Sequence, residues 1–375
     1  MKGIYVHVPF CIKKCEYCDF YSETDSKLFQ PFLSALLKEI EIYKDVVETS
    51  DTIYFGGGTP SILSVNMLDK ILGSLYKNNK ISSDTEITIE VNPGTADFQK
   101  LSNLKKSGFN RINFGFQTFD DHCLKFLGRI HDSKEAKKVY EYARKADFEN
   151  IGLDIIYALP NQTKYDLIND LNEAIKLDPE HISAYTLTYE DGTPLKKKLI
   201  KKEFIPLEEK ISSLFFKETS DYLSKNGFNH YEISNFSKDN YYSRHNSKYW
   251  NFDTYVGFGP SSHSFKNGKR WYKKSDLNEY IKDLKKNIDP LFETEVLSKE
   301  QQIIEAVYLG LRQSKGVNID QFNRNFDCDF SDLFKSSIEK FIQKGLMTFN
   351  SINCSLTTDG MILLDYITED MIRNL

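Results

Sequence analysis

The sequence predicts an α/β fold class: a partial (β/α)6 barrel followed by an α-rich, winged-helix-like C-terminal domain. Short β-branched or aromatic runs alternate with amphipathic helical stretches over residues 3–225. The rhythm breaks after Asn226, and from Ser298 onward a different order appears, three helices and then a hairpin. At 375 residues the chain exceeds one ordinary domain and suits a barrel-sized unit with a smaller appendage.

The strand candidates are residues 3–8, 52–55, 86–91, 111–116, 151–157 and 181–188, each a short run rich in Ile, Val, Phe, Tyr or Thr. Helical candidates lie at 28–47, 64–76, 98–106, 133–145 and 165–176, with 207–225 after the last strand. The first shows its period most clearly. Leu33, Leu36, Leu37 and Ile40 fall at i, i+3, i+4 and i+7, and Tyr43 extends the same stripe. Strand–helix units in series argue for parallel strands joined by right-handed crossovers. Six units without an evident seventh and eighth favour a partial barrel, with a doubly wound open sheet as the competing arrangement. Residues 230–265, rich in Tyr, Asn, Ser and Gly, read as loops and short strands packed against the barrel. Helices near 299–312, 319–326 and 333–344 and a hairpin over 346–356 complete the chain. Three parts follow: a barrel over 1–228, a connecting region over 229–297 and a C-terminal domain over 298–375.

A hydrophobic fraction of 40% with 27% charged residues describes a soluble globular protein. The net charge of -5 gives no general attraction for nucleic acid. A winged-helix shape does not restore that function, because residues 298–375 hold 8 Lys/Arg against 11 Asp/Glu. No apolar run approaches the roughly 20 residues that span a bilayer. The first residues read as a strand and not as a signal peptide. A cytoplasmic protein is expected, with membrane association at most peripheral.

Six cysteines are unevenly spread: Cys11, Cys15 and Cys18 crowd into eight residues, while Cys123, Cys328 and Cys354 are scattered. In a reducing compartment such crowding favours metal ligation over disulfides. Three thiolates just after a strand can hold three corners of a cubane cluster and leave the fourth iron open, whereas electron-transfer clusters take four cysteines. Zinc with a fourth ligand such as His7 is an alternative, as are unligated thiols. The run Gly56-Gly57-Gly58-Thr59-Pro60 ends the second strand. It lets backbone approach a ligand closely, or simply makes a tight βα turn. Glu90, Gln117 and Asp154 mark the third, fourth and fifth strands, and Arg129 follows the fourth. Each alone reads as a structural hydrogen bonder. Together, polar groups on the active-site face of a barrel form a ligand pocket.

The Cys-x3-Cys-x2-Cys loop, with Tyr17 before its third cysteine, resembles the signature of the radical S-adenosylmethionine (SAM) superfamily. The resemblance implies a [4Fe-4S] cluster on Cys11, Cys15 and Cys18. It also implies SAM on the unique iron, cleaved by an electron from the cluster to a 5′-deoxyadenosyl radical. Nearly the whole chain resembles the subfamily of oxygen-independent coproporphyrinogen dehydrogenases and HemW-type heme chaperones. That likeness implies SAM contacts from Tyr5, Gly57, Gly58, Thr59, Glu90, Gln117, Arg129, Asp154 and Thr188.

Two features side with the chaperone branch: Asp19-Phe20, not another cysteine, follows Cys18, and only ten residues precede Cys11. A third is His245-Asn246-Ser247-Lys248-Tyr249-Trp250, which matches that branch's His-Asn-x-x-Tyr-Trp motif. It implies heme contacts, His245 as an iron ligand and Tyr249 and Trp250 stacking on the macrocycle. On composition His245 is an ordinary hydrogen bonder, and His263 is a rival ligand. The basic stretch 196–202 is a candidate for heme propionates or an anionic membrane surface, though a solvated linker helix explains it as well. The implied function is heme delivery to hemoprotein acceptors, respiratory ones expected, with an electron donor serving the cluster. Radical decarboxylation of coproporphyrinogen is the competing expectation.

Overall fold

The computed structural model describes residues 2–47, 49–373 and 375. Strands β1 (Lys2–Val8), β2 (Thr49–Gly57), β3 (Lys80–Val91), β4 (Arg111–Gln117), β5 (Ile151–Tyr157) and β6 (His181–Thr186) lie side by side in chain order. All five of these pairings are parallel. Helices α1 (Phe29–Ile42), α2 (Val65–Asn78), α3 (Phe98–Lys106), α4 (Ser133–Lys145) and α5 (Lys164–Lys176) make the crossovers, and α6 (Glu209–Lys225) follows β6. This is the partial barrel that the strand–helix rhythm predicts.

Side-chain alternation explains why it forms. Ile4, Val6, Val8, Ile53, Phe55, Ile87, Ile89, Ile112, Phe114, Leu153 and Ile155 are buried in one core with the helices. Their neighbours in sequence, including Tyr5, His7, Tyr54, Glu86, Glu90, Arg111, Asn113 and Asp154, therefore face the barrel interior. Parallel strands usually carry apolar residues on both faces. Here one face is polar, which marks the interior as a place for ligands. On α1 the buried stripe is Phe32, Leu33, Leu36 and Ile40, with Leu37 partly covered. The predicted single helix over 28–47 is interrupted at Tyr43, where Lys44–Val47 starts a separate turn. α4 and α5 begin in capping boxes, Asp132 with Glu135 and Thr163 with Asp166.

The sheet continues past the six strands. β7 (Asn229–Glu232) and β8 (Asn235–Ser237) run antiparallel beyond β6. On the other edge β9 (Tyr255–Phe258) pairs parallel with β1, and β10 (His263–Lys266), β11 (Lys269–Lys273) and β12 (Leu291–Val296) extend it antiparallel. The segment after Asn226 thus supplies both flanks of a twelve-stranded sheet. Between the flanks lies α7 (Arg244–Trp250), N-capped by Ser243. The His245 amide donates to Glu86 Oε1 (3.1 Å), and Gly3 leaves space for the Lys248 and His245 side chains, since a Cβ there would meet them at 2.9 and 3.2 Å. α7 therefore plugs the barrel near the N-terminal ends of its strands.

The C-terminal part holds α8 (Lys299–Leu311), α9 (Ile319–Phe326) and α10 (Lys335–Gln343). A small sheet follows the order β13 (Val317–Asn318), β15 (Asn353–Leu356), β14 (Met347–Phe349), and α11 (Leu364–Ile372) comes last. Helices with a small antiparallel wing agree with the winged-helix-like expectation. Among the described residues no helix is long and apolar enough to cross a membrane.

Candidate cofactor site

At the C-terminal ends of the strands the barrel opens into a cavity of about 800 Å³. Cys11, Cys15, Tyr17, Cys18, Gly57, Gly58, Thr59, Glu90, Gln117, Arg129, Asp154 and Thr188 all line it. Tyr308, Arg312, Met361 and Leu364 of the C-terminal part contribute a further wall.

The cysteine loop is held from two sides. The Gly58 amide donates to Val8 O (2.9 Å) and that of Thr59 to Phe10 O (2.7 Å). A Cβ on Gly58 would fall 2.6 Å from Phe10 O, and Gly57 has a φ of 104°, so both positions require glycine. The glycine run thus clamps the start of the cysteine loop as well as lining the cavity. Thr59 Oγ1 lies 3.5 Å from Cys11 Sγ. On the far side the Glu16 amide donates to Leu127 O (3.0 Å), and the Leu195 amide to Glu16 O (2.8 Å). Lys198 pairs with the Glu16 carboxylate at 3.2 Å. The basic stretch, in helix Pro194–Ile200, accordingly braces this loop.

All three loop cysteines are free thiols, and burial pushes Cys18 up to about 11. They open into the same cavity, but among the described residues no three His, Cys, Asp or Glu side chains are drawn to metal-ligand spacing. Arg129 reaches Cys15 Sγ with Nη1 (3.4 Å) and Gly115 O with Nη2 (2.5 Å), and also binds Asn92 Oδ1. Its path crosses β4 because Gly115 has no side chain: a Cβ there would sit 3.3 Å from Nη2. Gln117 adopts a φ of 73°, an uncommon backbone state that turns the chain at the strand's end.

The carboxylates of Glu90 and Asp154 are held differently. Glu90 Oε1 accepts from the Tyr54 hydroxyl (2.8 Å), and burial raises its carboxyl to about 8. Asp154 Oδ2 accepts from Asn113 Nδ2 (2.7 Å), while burial raises its carboxyl from the usual range. Asn113 fits only because residue 152 is glycine, where a Cβ would lie 2.3 Å from Asn113 Oδ1. Asp154 Oδ1 and Arg129 Nε are buried without a partner among the described residues. Such orphaned atoms are costly unless a ligand completes them. Three free thiols beside one carboxylate oxygen and one guanidinium nitrogen without partners fit a cluster with a polar, zwitterionic cofactor. Asn92, Asn113, Gly115 and Gly152 escaped sequence reasoning, although glycines inside strands 4 and 5 signal a close approach.

Several expected site residues lie elsewhere. Tyr5 sits behind the cavity wall, stacked with Tyr54 at 6.2 Å and hydrogen-bonded to His7 Nδ1 (3.3 Å). His245 is fully buried in the plug helix. Its Nδ1 meets Thr52 Oγ1 and its Nε2 the Tyr249 hydroxyl, both at 2.9 Å. Burial, with Lys248 and Arg111 nearby, lowers it to about 3. Both ring nitrogens are thus engaged within the protein, away from the large cavity. Trp250 carries the Arg312 guanidinium over its ring at 4.4 Å. Tyr249 lines a second, smaller groove, together with His263.

The radical SAM superfamily model matches residues 5–174, and the HemN C-terminal domain model matches 297–363. A heme chaperone HemW of Bacillus subtilis is 35% identical over 97% of each chain. HemW of Buchnera aphidicola (Schizaphis graminum) is 37% identical over 98% of this chain and 97% of its own. The chain belongs to the HemW family of radical SAM proteins. Membership of that superfamily implies a [4Fe-4S] cluster and SAM. The solved structure of Escherichia coli HemN, a coproporphyrinogen III oxidase, superposes with a TM-score of 0.86 over 100% of this chain and 90% of its own. At 22% identity that likeness establishes the shared fold.

Proposed function

We propose that this HemW-family chain is a heme chaperone that holds a [4Fe-4S] cluster on Cys11, Cys15 and Cys18 and SAM beside it. Gly57, Gly58, Thr59, Glu90, Gln117, Arg129, Asp154 and Thr188 meet SAM, Tyr17 covers the cluster loop, and Tyr5 supports the wall from behind. The cluster and SAM, when bound, supply one-electron cleavage chemistry. The chain's own part is to orient and shield: Arg129 presents a buried cation for a carboxylate, and the unsatisfied Asp154 oxygen an acceptor for a hydroxyl or ammonium. The work divides over 1–228 for the cofactors, 229–297 for the motif region and 298–375 for the cavity's outer wall. Heme passes in the cytoplasm to hemoprotein acceptors, respiratory ones among them, and an electron donor serves the cluster.

The observation that carries this assignment is full-length likeness to proteins named heme chaperones, joined to three free thiols in one cavity. Its test is anaerobic and uses reconstituted full-length protein with hemin and an apo-hemoprotein. Stoichiometric hemin uptake followed by holo-acceptor formation is the expected result. Turnover of coproporphyrinogen with consumption of SAM would instead make the chain a dehydrogenase.

A pH dependence follows from Glu90. Its carboxyl, raised to about 8 by burial, is protonated in the empty protein at neutral pH. SAM is cationic and favours the carboxylate, so its binding expels a proton. Affinity is expected to rise by up to about tenfold per pH unit below 8 and to level off above. Calorimetry in buffers of differing ionisation enthalpy counts that proton. Glu90→Gln should flatten the profile, and a flat profile in the unaltered chain would refute the role of Glu90.

A further inference from the structure

We propose that heme docks in the groove of about 330 Å³ formed by β9, β10 and α8, with His263 as the iron ligand. The inference rests on the chaperone assignment and gives it a place. An axial ligand must offer an accessible imidazole nitrogen. Of the seven histidines, His7, His230 and His245 have both ring nitrogens hydrogen-bonded, and His131 and His181 are buried. His122 is exposed on a short helix and lines neither the large cavity nor this groove. His263 is exposed, makes no hydrogen bond through its ring among the described residues and opens on a cavity. It lies flat on Tyr272 with ring centroids 5.0 Å apart, which sets its direction.

Aromatic rings make up much of the rest of the groove, with Asp253, Ser264 and Glu305 among its polar residues. Tyr249, Phe252, Tyr255 and Phe265 line it in mutual ring contact, Phe252 and Phe265 at 4.4 Å and Tyr249 and Tyr255 at 4.6 Å, and Leu309 adds an apolar patch from α8. Arg270 borders it but is already paired with Glu305 and, at 3.8 Å, with Glu295. Among the described residues the groove therefore has no uncommitted cation for propionates, and it suits the apolar vinyl edge of heme, with the propionates left in water. Partial burial fits cargo that must leave. Tyr308 lines both this groove and the large cavity, so the cargo would share a wall with the cofactor site. His245 reaches the groove only through its hydrogen bond to Tyr249. It acts as a positioning residue for that wall.

Hemin titration of full-length wild type, His263→Ala, Leu309→Trp, His245→Ala and His122→Ala tests this, with circular dichroism confirming folding. His263→Ala should raise Kd by about tenfold or more and change the Soret band, and Leu309→Trp, which fills the groove, should raise it similarly. His245→Ala should weaken binding while keeping the wild-type axial-ligand spectrum, and His122→Ala should change nothing. Wild-type affinity and spectrum in His263→Ala, or an axial-ligand change confined to His245→Ala, would overturn the site while leaving the chaperone assignment intact. No hemin binding by wild type would overturn both.

Discussion

Protein carrying Cys15→Ser, reconstituted anaerobically, is expected to hold almost no iron and to lack the iron–sulfide chromophore, where the unaltered chain takes up about four irons. Among the described residues no other side chain is placed to replace a missing sulfur. His7, the fourth ligand a zinc site would need, is buried, with Nε2 held 3.0 Å from Tyr21 O and Nδ1 by the Tyr5 hydroxyl. Cys123, Cys328 and Cys354 are not among the residues lining the cavity. The loss should be one of cofactor and not of fold. Cys15 is half-buried and outside the hydrophobic core, and its loop is tied down through Glu16, Gly58 and Thr59, which the substitution leaves in place. Iron assay and circular dichroism on Cys15→Ser beside Cys123→Ser separate the two effects. Iron retained in Cys15→Ser, or lost equally from Cys123→Ser, would end the cluster proposal.

The six barrel strands are visible in the sequence because each buries one face under helices, so residues such as Ile87, Ile89 and Val91 recur in period two. Their early residues are not. β3 begins at Lys80, six residues before the predicted 86, because Ser82, Ser83 and Asp84 are exposed and carry no apolar signal. The flanking strands β7 to β10 span three or four residues, too few for a period to show. Side chains that line the cofactor cavity stood out as polar groups inside apolar runs. Asn113, Gly115 and Gly152 did not, because their roles consist of fit between adjacent strands and emerge only once the register pairs Asn113 with Gly152. The His-Asn-x-x-Tyr-Trp motif was legible as a motif. Its location at the plugged end was not, since a local sequence does not say to which end of a barrel its loop returns.

Replacing Glu39 by Ala is expected to cost about 3–5 kcal/mol of stability, although the residue is far from any cofactor. Glu39 lies on the buried stripe of α1 between Leu36 and Ile40 and is wholly inaccessible. Its Oε2 accepts from the Gly259 amide (2.8 Å) and the Tyr280 hydroxyl (2.6 Å), and its Oε1 lies 3.4 Å from Lys273 Nζ, itself wholly buried. Lys273 also donates to Asp289 Oδ1 (2.6 Å) and sits 3.9 Å from the centroid of the Tyr43 ring. One carboxylate thus fastens α1 to β11 and to the turn between β9 and β10. Removing it leaves a buried ammonium with one anion fewer and two donors without an acceptor. Glu39→Gln keeps an acceptor and should cost less. The double replacement Glu39→Leu with Lys273→Met should cost less than the two single changes summed, because the second removes the charge that the first strands. Urea unfolding of the single and double variants measures this coupling. Strict additivity would mean that the pair is incidental, and that the flank carrying His263 is held by its strand pairing and packing without this charge pair.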